Sequence, residues 1–292
     1  MSDTILCDYC GSERVIRFGF RYCKKGKIQT YHCKNCGKRF SLGGTFKKIK
    51  GNKELVADAL SLYFLGVSFR GIAQHFEKSK GIKVSHSTIL RWLRRAILQI
   101  EKFVDTLTPI VGDAWNADEI EFKCADNYHK SLWQWNLLDE ETRFLLSSLS
   151  SETRTQEACE EFLRKAKTTV PKNPDTITTD GLSCYSSQIS KVFKNKTIHC
   201  GGVGIRAIRG NNLVERLHGT QRDRCRPMRG FSRFKSASIL MKGLQIHYNY
   251  IKPHGFLGGK TPAEAAQIDL PNNDFKSLLE LSQEPLKIGC NP

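Results

Sequence analysis

The sequence has no apolar run near the roughly 18 residues that a membrane-spanning helix requires. Its first residues, Met1 to Tyr9, lack the basic-then-apolar layout of a secretory signal. It has no internal repeat. Its 11 cysteines are an odd number, so a complete disulfide framework is not expected. These absences exclude a membrane protein, a secreted disulfide scaffold and a collagen-like fibre. The default expectation is a soluble, cytoplasmic chain. Acid is scarce too: 29 Asp and Glu stand against 46 Lys and Arg, a net charge of +17 over 292 residues. That imbalance exceeds what solubility asks of small domains and points to a polyanionic partner, usually nucleic acid.

What is present is unevenly spread. Residues 1–105 carry a net +13, residues 106–200 a net −3 and residues 201–292 a net +7. Basic ends thus flank a mildly acidic centre, which suggests parts that hold DNA around a part that needs carboxylates. Hydrophobic residues make up 39% of the chain, enough for packed cores, and the length suits two or three small domains.

Residues 1–46 hold two Cys-x2-Cys pairs, Cys7 with Cys10 and Cys33 with Cys36, separated by 22 residues. Val15 to Phe20 alternates as a strand does, and Ile28 to His32 reads as its antiparallel partner across the turn Lys24-Lys25-Gly26-Lys27. Two knuckles joined by a hairpin predict a zinc ribbon, because four thiolates in a tetrahedron suit structural Zn²⁺. So small a domain buries little core, and metal would supply folding energy. Cys23 and His32 are spare candidates. Basic residues from Arg14 to Arg39 make phosphate contact plausible, with a solvated face as the alternative.

Residues 50–106 predict three helices. Leu55, Ala59, Leu62, Tyr63 and Leu65 make an apolar stripe that ends at Gly66. Ser68 can cap a second helix, and Ser85 or Ser87 a third. The third has apolar residues from Ile89 to Ile100 at helical spacing. A basic last helix after a turn is the helix-turn-helix pattern. Ser85, His86, Ser87, Thr88 and Arg91 would face bases, and Arg94 and Arg95 phosphates. The plain alternative is a three-helix packing unit.

Residues 110–268 predict strands over 114–124, 131–139 and 143–149, then helix, strand, helix, strand, and two further helices from 211 and 234. Three antiparallel strands followed by that alternation is the order of a ribonuclease-H-like α/β core with a mixed sheet. Residues 269–292 read as a weakly ordered tail with a short helix around Leu278. Asp118 lies mid-strand, Asp180 ends a buried strand at Gly181, and Glu215 opens a helix. In such a core the first and fourth strands are neighbours and the helix crosses their ends, so the three carboxylates converge. Mutual repulsion and burial then call for hard divalent cations, Mg²⁺ or Mn²⁺. Arg222 follows two turns later on roughly the same face. Trp133 and Trp135 could stack on a flipped base, although alternating strand aromatics are more often core.

The chain resembles the DDE-type transposases of prokaryotic insertion sequences, most closely insertion-sequence family six, with integrase-like relatives. The resemblance is carried by Asp118-Glu119, Thr179-Asp180-Gly181, the run Asn211 to His218, Arg222 and the tract Arg226 to Phe231. The 34 residues between Asp180 and Glu215 match that family's interval, and Tyr248 to His254 with Thr261 to Glu264 are similar to the end of many integrase-type cores. It implies cleavage at element ends and strand transfer into target DNA, with no covalent protein–DNA intermediate. Asp118, Asp180 and Glu215 would hold the metals, Arg222 a phosphate near the scissile bond, and Arg226 and Arg229 further DNA. His218, one turn after Glu215, is a weaker candidate for the same site. Double-stranded DNA and a second copy of the chain are the implied partners. A DNA-binding regulator of the same layout without nuclease activity is the competing reading, against which stands the presence of all three acids.

Overall fold

The computed structural model describes residues 5–7, 12–23, 26–41, 53–125, 131–202 and 211–283. The chain divides into two compact units, Met1–Ile100 with Leu278–Pro292, and Glu101–Ser277.

In the first unit, β1 (Val15–Cys23), β2 (Gly26–Cys33) and β3 (Arg39–Phe40) form an antiparallel sheet in that order. Its small core is Cys7, Tyr31, Cys33 and Phe40. A bulge between Arg17 and Phe20 interrupts the β1–β2 register. Three helices follow: α1 (Lys53–Phe64), α2 (Phe69–Lys80) and α3 (His86–Val104). The Ser68 hydroxyl caps α2 by accepting from the Gly71 amide at 3.1 Å, and Gly81 ends it in the left-handed conformation. Ser85 caps α3, accepting from the Thr88 amide at 3.2 Å. Ile89, Trp92, Leu93, Ala96, Ile97 and Ile100 are the buried stripe of α3, at the spacing of one helix face.

In the second unit, β4 (Ala114–Lys123), β5 (Ser131–Asp139) and β6 (Leu145–Ser151) are antiparallel neighbours. After α4 (Gln156–Thr169) comes β7 (Thr176–Thr178), and after α5 (Ser183–Phe193) comes β8 (Ile198–Cys200). Both late strands run parallel to β4, and the sheet order is β6-β5-β4-β7-β8. This mixed sheet has the expected connectivity, with the first and fourth strands of the unit side by side. One face packs Trp135 against Phe162 of α4 and Tyr185 of α5. The other face packs Leu138 and Leu145 against Val214 and Leu217 of α6 (Asn212–Cys225) and Tyr248 of α7 (Phe234–Tyr250). A reciprocal amide pair, Asn136 with Gln221 at 3.1 Å in both directions, satisfies two buried polar side chains between β5 and α6.

The stretch after Pro271, expected as a tail with a short helix around Leu278, carries that helix. Following a one-turn helix, α8 (Pro262–Ala265), comes α9 (Phe275–Leu281), with Phe275, Leu278 and Leu279 buried. Those three side chains sit at i, i+3 and i+4, and burying them orders the segment.

Candidate active site

The strand β7 is only three residues long, and this shapes the site. It pairs with β4 from Ala114 to Asn116 and stops. Beyond Asn116 that edge of β4 has no strand beside it among the described residues, so side chains from both faces can turn around the open edge. Register assigns the faces. Asp118 lies opposite Asn136, on the α6 face, and Glu119 lies opposite Trp135, on the α4–α5 face. Asp180 follows the end of β7. The carboxylate oxygens of Asp118, Glu119 and Asp180 lie within 4.8 Å of one another.

The three acids have unequal support. Both oxygens of Glu119 are engaged: the Tyr185 hydroxyl donates to one at 2.7 Å, and Arg154 pairs with the other. Arg154 also stands 3.9 Å from Asp180 and over the Trp133 ring. Asp118 has less compensation. One oxygen accepts the Glu119 amide at 2.9 Å, and the other faces His218 Nδ1 at 3.6 Å. Burial, then repulsion from Glu119, Asp180 and Glu215, pushes the Asp118 carboxyl from 3.8 to about 7. His218 offers no charge in return, because burial and then Arg222 push its pKa down to about 3. Crowded carboxylates of this kind, hard oxygen donors short of positive charge, fit a divalent cation.

Asp180 is held by its turn. Its oxygen accepts the Leu182 amide at 3.1 Å. Gly181 has φ +97°, and a Cβ there would lie 2.9 Å from the Gly202 Cα, so the turn closes against neighbouring backbone only with glycine.

Glu215 is exposed in the first turn of α6, outside the tight group of three, on the helix that faces Asp118. Arg222, also exposed, lies on the same side of α6. It lines a groove of about 650 Å³ with Glu121, Lys123, Arg226, Arg229 and Phe231. The tract after α6 is pinned there. The Phe231 amide donates to the Lys123 carbonyl at 2.9 Å, and the Ala125 amide to the Phe231 carbonyl at 2.7 Å. Gly230, at φ +113°, allows this approach, since a Cβ would meet the Lys123 carbonyl at 3.1 Å. Two arginines are thereby fixed beside the strand that carries Asp118.

Sequence reasoning passed over Glu119 and Arg154 as site residues. Glu119 was legible only as a neighbour of Asp118, and strand alternation sends it to the opposite face. Arg154 precedes α4 without any motif, and only the fold brings it in. Trp135 is fully buried core, whereas Trp133 is half-buried.

In the other unit, the sulfur atoms of Cys7, Cys33 and Cys36 lie within 4.8 Å of one another, with Cys7 and Cys36 at 3.5 Å. Cys10 lies outside the described residues, as do Lys24 and Lys25 of the expected turn. Three converging thiols fit a soft-ligand metal. At the start of α3, Ser85, His86, Ser87 and Arg91 are exposed and Thr88 is half-buried. Thr88 accepts from Arg91 at 2.9 Å and shares a hydrogen bond with Ser85 at 2.9 Å. Arg94 and Arg95 are half-buried, with their stems against the bundle.

Residues 112–254 match the model of a DDE domain family. Over 106 residues the chain is 32% identical to an uncharacterized 48.3 kDa protein of insertion element ISM1 from Methanobrevibacter smithii. That match covers 31% of this chain and spans about a quarter, 26%, of the archaeal protein. Among solved structures, the catalytic core domain of BIV integrase is similar at 15% identity and a TM-score of 0.39, over 53% of this chain and 94% of that one. A chain of a simian T-cell lymphotropic virus intasome, in complex with a PP2A regulatory subunit, is similar at 12% identity and a TM-score of 0.41, over 80% and 77%. The acid cluster falls inside the stretch, residues 112–254, that matches the DDE domain family.

Proposed function

We propose that the chain is a transposase: it binds the ends of a DNA element, cleaves them and joins them to target DNA by divalent-metal-dependent phosphodiester chemistry. The observation that carries this reading is the convergence of Asp118, Glu119 and Asp180 inside a DDE domain. Asp118, Asp180 and Glu215 are the proposed holders of Mg²⁺ or Mn²⁺. Such ions supply an activated water or 3′-hydroxyl and charge stabilisation at the leaving oxygen. Glu119, fixed by Tyr185 and Arg154, is a positioning residue that keeps the edge of β4 in place. His218, uncharged, abuts Asp118 and limits its movement. Arg222 contacts a phosphate near the scissile bond, with Arg226 and Arg229 along the same groove.

The first unit delivers the DNA. Cys7, Cys10, Cys33 and Cys36 form the proposed zinc ribbon. Ser85, His86, Ser87, Thr88 and Arg91 read base edges from a helix-turn-helix, with Arg94 and Arg95 toward phosphates. Two copies on one DNA follow from the need to join two ends. Among the described residues no helix is long and apolar enough to cross a membrane. The proposed site of action is the nucleoid of a prokaryotic cytoplasm.

The deciding experiment is strand cleavage and joining on DNA carrying the element's own ends, with Mg²⁺, with EDTA, and with Asp180→Ala. Metal-dependent nicking that vanishes in the variant while DNA binding persists is the expected result. Binding without cleavage by the wild type under Mg²⁺ and Mn²⁺ would replace this reading with that of a regulatory DNA-binding protein.

A further inference from the structure

The run from Tyr248 to His254 has no part in the chemistry proposed above, yet it lines a cavity of its own. The cavity is about 220 Å³ and lies within the second unit. Arg143, Arg216, Lys252 and His254 border it, with Tyr248 and Phe256; no carboxylate is among the described lining residues, although Glu140 and Asp139 act on Arg143 from outside it. At 100° per residue, Arg216 lies on the side of α6 away from Arg222 and His218, so this is a different place from the acid cluster.

Three cations, Arg143, Arg216 and Lys252, and the His254 imidazole border this small cavity. Burial is the main reason that the pKa of Arg143 is lowered; Tyr248, Glu140 and Asp139 act to raise it, and Arg216 to lower it further. Burial, then Lys252, lowers that of His254, with Arg143 contributing. Two polar atoms there are left over. Arg143 Nη1, a donor, and His254 Nε2 are buried with no hydrogen-bond partner. An unpaired buried donor such as Nη1 is costly, and a native structure usually meets it with a ligand or water. Arg143 also holds a left-handed backbone at φ +61° in the β5–β6 turn, a conformation that non-glycine residues rarely adopt. Its guanidinium lies 3.9 Å from the centre of the Phe256 ring, and that ring is 73% exposed at the rim.

We infer that this cavity binds a phosphodiester of the DNA backbone, as an anchor separate from the acid cluster. The cations Arg143, Arg216 and Lys252 select a phosphate. The exposed Phe256 ring beside them suits the sugar or base of a nucleotide, which a free phosphate does not have. The inference rests on the reading of this chain as a DNA-processing protein.

The test is duplex-DNA binding by the full chain across a salt series in EDTA, together with calorimetric titration of inorganic phosphate. Removing two phosphate contacts with Arg143→Met and Lys252→Gln should weaken binding about tenfold and reduce the slope of log K against log salt by about two. Arg143→Lys with Lys252→Arg should keep most of the slope. Far-UV circular dichroism checks folding of the double variant. If that variant does not fold, the exposed Arg216→Gln alone should lower the slope by about one. An unchanged slope in a folded variant overturns the anchor. Loss of a phosphate heat with an unchanged slope assigns the cavity to free phosphate and overturns the DNA source. If the wild type itself fails to bind DNA, the proposed function falls and the anchor with it, whereas a changed slope without cleavage retains the anchor.

Discussion

Glu119 depends on Tyr185, a residue that belongs to no motif. The Tyr185 hydroxyl, fully buried, is the one hydrogen-bond donor to its Glu119 oxygen among the described residues. Tyr185→Phe leaves that oxygen short of a partner and is expected to cost about 1–3 kcal/mol of stability. It should also lower cleavage while DNA affinity stays level, because Arg154 alone would then hold Glu119. Urea denaturation and a nicking assay check both effects. Unchanged stability would show that water replaces the hydroxyl. Asp118 allows a pH prediction. Its carboxyl titrates near 7 in the folded protein against an ordinary 3.8, so between those values the folded state binds a proton that the unfolded state does not. Metal-free stability should therefore fall as pH rises from about 4 to about 7 and level off above. The gain in Tm from saturating Mg²⁺ should be larger at pH 8 than at pH 5. An equal gain at both would remove Asp118 from the metal ligands.

At the scale of elements, the tract after α6 offers the sharpest test. Gly230→Ala sets a Cβ against the Lys123 carbonyl in a backbone region that L residues avoid, so the two hydrogen bonds that hold Phe231 to β4 should loosen. Reduced DNA affinity with Asp118 untouched is the expected result in a binding titration, and wild-type affinity would show that Arg226 and Arg229 act without the pin. The proposed zinc ribbon makes the hairpin of the first unit depend on its thiols. On that reading, treatment with a zinc chelator, or Cys33→Ser, should melt the β1–β2 sheet and weaken end binding, followed by near-UV circular dichroism. Persistence of the hairpin without metal would mean that Cys7, Tyr31, Cys33 and Phe40 suffice as its core. Periodicity made most of these elements legible. The bounds of β5 and α7 follow from alternation and from helical spacing bracketed by turns and polar residues. Periodicity had less to say about α9, a helix of two turns whose order comes from burial of three side chains. It was silent on Arg154 and on the cation-lined cavity, because both arise where separate segments meet.

For the whole molecule, charge is the property most visible from composition. Basic segments on either side of an acidic centre describe a protein that grips a polyanion at several points and works on it at one. Its affinity for duplex DNA should fall at least about a hundredfold between 50 and 200 mM salt, as expected when several phosphates are neutralised. A flat salt response, read by fluorescence anisotropy, would restrict the +17 charge to solubility.

The shortness of β7 has a further consequence. An uncovered strand edge invites pairing with a second chain, and proteins commonly guard such edges with charge. Along β4 that guard is the acid cluster itself, aided by the Asn211 side chain, which donates to the Ala117 carbonyl at 3.2 Å. The groups proposed for chemistry are thus also gatekeepers against aggregation. Variants that neutralise the exposed one, such as Asp180→Asn, would lose solubility along with activity, and a precipitating mutant would be reporting an exposed edge rather than a failed fold.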